Sequence, residues 1–551
     1  MATIKVFALG GLDERGKNMY VVEVNRDIFI FDAGSKIPER EALGIDTVIP
    51  DFSYLKENVN RIKGLFISKP SDECFGAITY LLKDIKIPIY ASKLTIFLIK
   101  QKLYKFKVWH SENELIEIKE KDMLSFGDNE IEVFNTTTCI PGSFGFALKT
   151  VDGTIVYTGD YIFDSEERSN FATDMAHLAK IANNKILLLM SDSGYASRND
   201  YTAPNHKCKK LVESTFKAAK SKIIIACHEQ DLYKISEILE LVSETNRDVI
   251  VMGGTLKSIL EEFKSGTYLQ FNKIKFRNLT SDAINDNSVI FVTGSGERLY
   301  TRLYKIISGD DEHLEIEKSD TVILATPPIP GYELKHARIL DELARTDARF
   351  MALSDKKVWD MNASYEDIKM MIGIMKPKFF MPIKGLHKNF VSAQNSAQEA
   401  GILINNILIK DSGQILEFIN GKLGPSPVSL KCNNIYVDGL GVGDIGAVVL
   451  NERKQLARDG VLISGITLNR RSKEIVSLVD VQMRGVVFIQ DDEELTNKMQ
   501  AKVRTIVEEH QKKSEFDGTT VKNQIRSELQ ELCRQETGKN PMVLAIINEI
   551  N

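Results

Sequence analysis

LFISKPSDECFGAITYLL, residues 65–82, decides the fold of this chain. An apolar run opening at Leu65 has the character of a buried strand, a loop follows through Pro70 and Ser71, and a helix-like stretch comes next. Two other strand ends present acids: Asp32 in IFIFDAG (28–34) and Asp160 in VYTGD (156–160). Strand-end loops that converge on one rim are where a rigid scaffold places chemistry.

Around that stretch, the first 200 residues read as closely spaced strands. IKVFALGG, MYVVEV and IFIFDAG come first, with an Asn25-Arg26-Asp27 turn between the last two. GFALKT and TIVYTGD flank Asp152-Gly153, a hairpin signal because both residues tolerate positive φ, and KILLLMSDS closes the segment as a buried strand. From about Thr202 strand and helix alternate, in KCKKLVESTFKAAK, KIIIACHE, DLYKISEILELVSE and DVIVMGG, the mark of a parallel α/β layer. The Gly, Pro and Ser of GKLGPSPVS (421–429) mark a linker, and beyond it strands near VLISGITLN and EIVSLVDV precede two amphipathic helices, at 493–513 and 520–536.

The chain has 551 residues, 43% hydrophobic and 27% charged, which suits an ordinary globular protein of several domains. It lacks an apolar run of about 18 residues, and its start lacks a basic n-region with a small-residue cleavage site. The expectation is a cytoplasmic protein with no membrane association. Six cysteines without C-x-x-C spacing read as free thiols. A net charge of −5 means that nucleic acid would have to be held by a local basic surface.

Familiar catalytic motifs are missing. There is no nucleophile elbow and no Walker sequence, and the eight histidines form no H-x-H or H-x-x-x-H pair, so local spacing builds no zinc cluster. Gly441-Val-Gly443-Asp-Ile-Gly446 is formally G-x-G-x-x-G, but the β-branched start of AVVLNERKQL makes the required helix doubtful, and a turn-rich connection is the better account.

The stretches ALGGLDERGKNMYVVEV, FDAG, GIDTVIPDFSYL, TGDYIFD, LLLMSDS, PPIPGYE, KPKFFMPIKG and YVDGLGVGDIGAVVLNERKQLARDG together resemble the ribonuclease J family, β-CASP members of the metallo-β-lactamase superfamily, over essentially the full length. The resemblance implies an α/β chain, α+β overall. It would comprise an αββα metallo-β-lactamase sandwich (1–203 and 362–425), an inserted β-CASP domain (204–361), a linker (426–452) and a small α+β oligomerisation domain (453–551). In that family two metal ions, zinc or manganese, activate a water that attacks an RNA phosphodiester, 5′ to 3′ or internally.

The departures from the family decide the expected function. Its His-x-His-x-Asp-His loop is Lys69, Ser71, Glu73 and Cys74 here; a further ligand histidine is Thr138, the late one is Lys384, the β-CASP histidine is Asn362, and Asp160 alone is unchanged. Two-metal hydrolysis needs paired cations on imidazole and carboxylate ligands, and a protonated lysine offers no lone pair. No catalytic residue and no cofactor is therefore expected, the alternative being a weakly held zinc or manganese on Glu73, Cys74 and Asp160. Two readings of the lysines stand open: internal counter-ions for Asp32, Glu73 and Asp160, or solvent-facing side chains at an idle site.

The candidate RNA contacts are Ser295, Arg298 and Arg302 near an altered Thr293–Arg298 loop, then Val358, Trp359, Asp360, Met361, Asn362 and Ser364. Lysines 207, 209, 210, 217, 220 and 222 form a basic run that reads first as a solvated face. The family carries active and weakened paralogues that associate, and this chain is most similar to the weakened one. The implied role is a non-catalytic or weakly active subunit that self-associates, binds its active paralogue, RNA and other RNA-degradation proteins, and serves RNA decay and rRNA or mRNA maturation. Two alternatives are a low-activity metal-dependent exo- and endoribonuclease and an RNA-binding module without a protein partner.

Overall fold

A computed structural model describes residues 2–38, 42–108, 115–166, 170–280, 283–425, 429–439, 441–443, 446–486, 492–513 and 516–551. The chain divides into two compact units, Met1–Ile37 with Thr47–Ile435, and Pro38–Asp46 with Tyr436–Asn551.

The larger unit is built on two facing sheets. One has eight strands in the order Lys422–Leu423, Leu416–Ile419, Thr3–Gly10, Met19–Val24, Asp27–Phe31, Ile62–Phe66, Ile89–Ala91, Leu115–Glu117. The other has six, Phe379–Ile383, Ile186–Asp192, Gly153–Tyr157, Phe144–Thr150, Asn129–Asn135, Met123–Phe126. Alternating side chains from both sheets fill the space between them: Val6, Phe29, Phe31 and Phe66 from the first meet Phe146, Tyr157, Leu188 and Met381 from the second. On the outer face of the second sheet, Leu178, Ile368, Met371 and Ala393 of the helices Met175–Ala182, Tyr365–Met375 and His387–Glu399 cover Val156, Leu189 and Phe380. Both sheets are completed by strands from the far side of a long insertion, since Phe379–Ile383 pairs in parallel with Ile186–Asp192 and Leu416–Ile419 pairs with Thr3–Gly10.

The insertion carries its own six-stranded sheet, all parallel, in the order Phe276–Arg277, Asp248–Met252, Ser288–Gly294, Ile223–His228, Thr321–Leu324, Arg349–Ala352. The helices Leu232–Ser243, Gly254–Glu262, Glu297–Ile307 and Glu333–Arg345 lie between those strands in sequence, as the alternating pattern requires.

In the smaller unit the strands Asp480–Arg484, Val461–Asn469 and Met542–Ile550 form a sheet, with Val461–Asn469 central. Leu462, Ile466 and Leu468 pack against Met499, Val503 and Leu529 of the helices Asp492–Gln511 and Gly518–Thr537. Gly460 enters the central strand at φ +81°, where a Cβ would lie 2.4 Å from the Arg484 carbonyl oxygen, so no other residue fits.

Two expectations are corrected here, and one strand is added. The 426–452 linker contains the strand Ile435–Asp438, the short strand Gly441–Val442 and the start of the helix Ala447–Asp459; residues 426–428, 440 and 444–445 lie outside the described residues. A helix does follow Gly446, because AVVLNERKQLARD keeps helix formers after its β-branched start. The element before it is an antiparallel hairpin and not the parallel unit a dinucleotide site needs. The parallel edge strand Met542–Ile550 had no counterpart in the sequence reading. His110 lies outside the described residues.

Phe146 is fully buried between the two sheets, packed edge-on against Phe66 and tilted against Phe31. Phe146→Ala is expected to cost about 3–5 kcal/mol, read as a lower urea midpoint for the larger unit.

Candidate functional site

The residues singled out from the sequence gather where strands of both sheets end. Asp32 follows the strand Asp27–Phe31, Lys69 follows Ile62–Phe66, Asp160 follows Gly153–Tyr157, Asp192 ends Ile186–Asp192 and Lys384 follows Phe379–Ile383. Asp32 and Lys384 adopt φ of +63° and +57°, a conformation that non-glycine residues hold only when their surroundings fix it.

Asp160 is the centre. Lys69 Nζ is ion-paired with its Oδ2, and Lys384 Nζ lies 2.8 Å from its Oδ1. Both lysines are only 7% exposed, which decides between the two readings: they are internal counter-ions and not solvated side chains. Burial opposes the charge on Asp160, but Lys384 and then Lys69 outweigh it and hold this carboxyl well below the usual carboxylate range. Burial likewise works against both ammoniums, and Asp160 reverses it, raising both above the ordinary lysine value.

Asp32 is held separately. Ser68 donates to it twice at 2.7 Å, through its backbone N–H and its hydroxyl, the Tyr157 hydroxyl donates to Oδ2, and Lys384 Nζ stands 3.7 Å away. Burial pushes its carboxyl up despite Lys384. Asp192 accepts from Gly194 N–H at 3.0 Å, Asn362 Nδ2 at 3.1 Å and Ala363 N–H at 3.2 Å. Burial, then the charge of Asp160, pushes it up to about 7.

The other family positions do different work. Glu73 is exposed, so the expected face-to-face set of Asp32, Glu73 and Asp160 is corrected: Asp192 is the third buried carboxylate and Glu73 sits at the rim. The reason is helical geometry, since Glu73 and Cys74 are neighbours on the short helix Asp72–Phe75 and point apart. Cys74 is the inward one, with Sγ 3.6 Å from Ser68 Oγ and 4.0 Å from Lys384 Nζ, and burial pushes its thiol up, away from the thiolate a metal would need. Thr138 closes its own loop through Ile140 and Ser143, and the buried Ser71 hydroxyl has no partner among the described residues.

A pair of divalent ions does not fit these residues. Two family ligand positions are occupied by ammonium groups already paired with the one unchanged ligand. Among the described residues no three His, Cys, Asp or Glu side chains converge as a metal cluster, Glu73, Cys74 and Asp160 included.

The candidate RNA contacts divide. Val358 and Met361 are buried in the core. Ser364 caps the helix Tyr365–Met375, its hydroxyl 2.8 Å from Asp367. Asn362 is spent on Asp192, and Arg302 holds the Met252 and Thr293 carbonyls at two strand ends. Arg298 is exposed and Ser295 half-buried, both at the start of the helix Glu297–Ile307. Trp359 and Asp360 are half-buried beside two residues the sequence reading passed over: Arg198 lies over the rings of Tyr195 and Trp359, and the Tyr195 hydroxyl donates to Asp360 at 2.7 Å. The three-residue spacing of Tyr195 and Arg198 was the available signal. Four lysines of the run are paired with acids, Lys207 on Asp164, Lys209 on Glu240 and Glu244, Lys217 on Glu213, and Lys222 buried against Asp320, while Lys210 and Lys220 are exposed.

Facing sheets with a strand-end site, interrupted by a parallel α/β insertion, define a metallo-β-lactamase-type fold with a β-CASP domain. A model of the ribonuclease J β-CASP domain matches residues 220–343, and one of the ribonuclease J C-terminal domain matches 448–550. The chain is 34% identical to ribonuclease J2 of Bacillus subtilis, covering 99% of both chains. It is 32% identical to ribonuclease J 2 of Staphylococcus aureus strain NCTC 8325, covering 99% of this chain and 98% of that one. A crystal structure of a protein of unknown function from Enterococcus faecalis V583 shares the fold at 14% identity and a TM-score of 0.52, covering 76% of this chain and all of that one. The chain belongs to the ribonuclease J family. No helix among its described residues is long and apolar enough to cross a membrane.

Lys384→Met leaves Asp160 and Asp32 short of a counter-charge and is expected to cost about 3–5 kcal/mol near neutral pH, measured by urea denaturation; an unchanged midpoint would show that the lysine contributes nothing. The pH dependence follows from Asp160. Its carboxyl is depressed in the folded chain relative to the ordinary 3.8, so its contribution is fully present above about pH 4 and is lost as pH falls further. Melting temperatures between about pH 5 and 2 should therefore fall less steeply in Asp160→Asn than in the parent.

Proposed function

We propose that this chain is a non-catalytic or weakly active ribonuclease J subunit, which associates with an active ribonuclease J and supports RNA decay and the maturation of rRNA and mRNA in the cytoplasm. The observation that carries this reading is the pair of buried ammonium groups on Asp160. A hydrolytic metal centre needs open cation sites and a coordinated water, and here the positive charge is supplied by ammonium groups, which have no coordination position and do not acidify a water as a divalent ion does.

The relatives named ribonuclease J2 support RNA as the substrate class. The preserved sheets, the insertion and the C-terminal unit support a part played through shape and contact. In this reading residues 1–203 and 362–425 form the metallo-β-lactamase domain, 204–361 the β-CASP domain, and the C-terminal unit makes the subunit contacts, with the active paralogue and with further copies of the chain.

The test is size-exclusion chromatography with light scattering on the chain mixed with the active paralogue, beside RNA hydrolysis by the chain alone. A mixed complex is expected, with hydrolysis no faster than in Asp160→Ala. Chelator-sensitive hydrolysis abolished by Asp160→Ala would instead make the chain a metal-dependent ribonuclease. Separate elution with retained RNA binding would leave a binding module.

A further inference from the structure

Near the rim of the Lys69–Asp160–Lys384 cluster, side chains from three distant segments form a chain of cation–π contacts, Arg15 to Tyr195 to Arg198 to Trp359, called the stack below. Arg198 Cζ lies 4.1 Å from the Tyr195 ring centroid and 5.1 Å from that of Trp359, and Arg15 Cζ lies 5.3 Å from Tyr195. Such contacts are attractive because the ring faces carry negative charge density. The acid beside it is held by these same groups: the Tyr195 hydroxyl donates to Asp360 Oδ2 at 2.7 Å, Arg198 donates to the Asp360 carbonyl at 3.4 Å, and the Asp360 charge acts on Arg198.

One rung is open. Arg15 is exposed, and among the described residues its side chain makes no hydrogen bond or ion pair. Its loop is nevertheless pinned. Glu14 accepts from Gly11 N–H at 2.9 Å and pairs with Lys17 and Lys36 at 3.2 and 2.7 Å, while Asp13 accepts from His387 N–H at 2.8 Å. Arg15 is close enough to the rim for its charge to act on Glu73.

We propose that this stack is a preassembled platform for unpaired RNA, with Arg15 as the rung on which a nucleobase stacks. A planar guanidinium at the end of an aromatic stack accepts the π-face of any base and attracts the phosphates beside it. Because the loop is already ordered, little freedom is lost on binding. The proposal deepens the reading of RNA as the substrate class and rests on it. It also gives a family chain without a working metal centre a defined contact for a single strand.

The experiment compares binding of octaadenylate and of an abasic oligomer of equal length and charge, by fluorescence anisotropy, to the full chain and to Arg15→Lys. Lysine keeps the charge and loses the plane. Octaadenylate is expected to bind Arg15→Lys about tenfold more weakly, with the abasic oligomer unchanged and the melting temperature equal to the parent's. Equal losses for both oligomers, or no loss for either, would reduce Arg15 to a phosphate contact or to none and overturn the proposal. Failure of the parent to bind either oligomer would overturn it as well, and would leave subunit association, measured without RNA, standing.

Discussion

The larger unit depends on how a buried carboxylate at a sheet end is neutralised. Asp160 stands on the six-stranded sheet, yet one of its two counter-ions, Lys69, comes from the eight-stranded sheet, and Lys384, from Asp160's own sheet, also faces Asp32 across the gap. The ion pairs therefore tie the two sheets together at the rim. Stranding a buried charge costs far more than a well-paired one gains, so the three side chains act as one unit, and substitutions among them should not add.

Charge arithmetic explains why lysines suit this rim and metal ions do not. Asp32, Asp160 and Asp192 face two ammoniums, and burial with the charge of Asp160 pushes Asp192 up to about 7, which lowers the negative charge it adds near neutrality. The cluster is close to neutral with the lysines in place. Two divalent cations would bring twice the positive charge and would have to displace both ammoniums first. The Asp32 hydrogen bonds to Ser68 and Tyr157 need no cation at all.

Much of this was legible in the sequence because strand-end positions follow from short-range pattern. The hairpins at Asn25–Asp27 and Asp152–Gly153, the buried strand Ile186–Asp192 and the placement of Asp32 and Asp160 at strand ends on one rim come from alternation and turn chemistry, while Lys69 and Lys384 were singled out by the family resemblance. What was not legible depends on orientation or on distant pairing. Whether Glu73 or Cys74 faces inward is set by the phase of a single helical turn. The strand Met542–Ile550 pairs with Val461–Asn469 across two intervening helices, so no local signal marks it. Arg15, Tyr195 and Trp359 lie far apart in sequence, and single residues without a motif carry no trace of their meeting.

The same separation bears on function. The groups that fix the rim are buried and paired with one another, so they resist change. The groups of the Arg15–Trp359 stack are half-buried or exposed, and they take no part in the ion pairs at Asp160. A substitution at the ion-paired centre can therefore leave the stack unchanged, because the two are held by different residues and different forces.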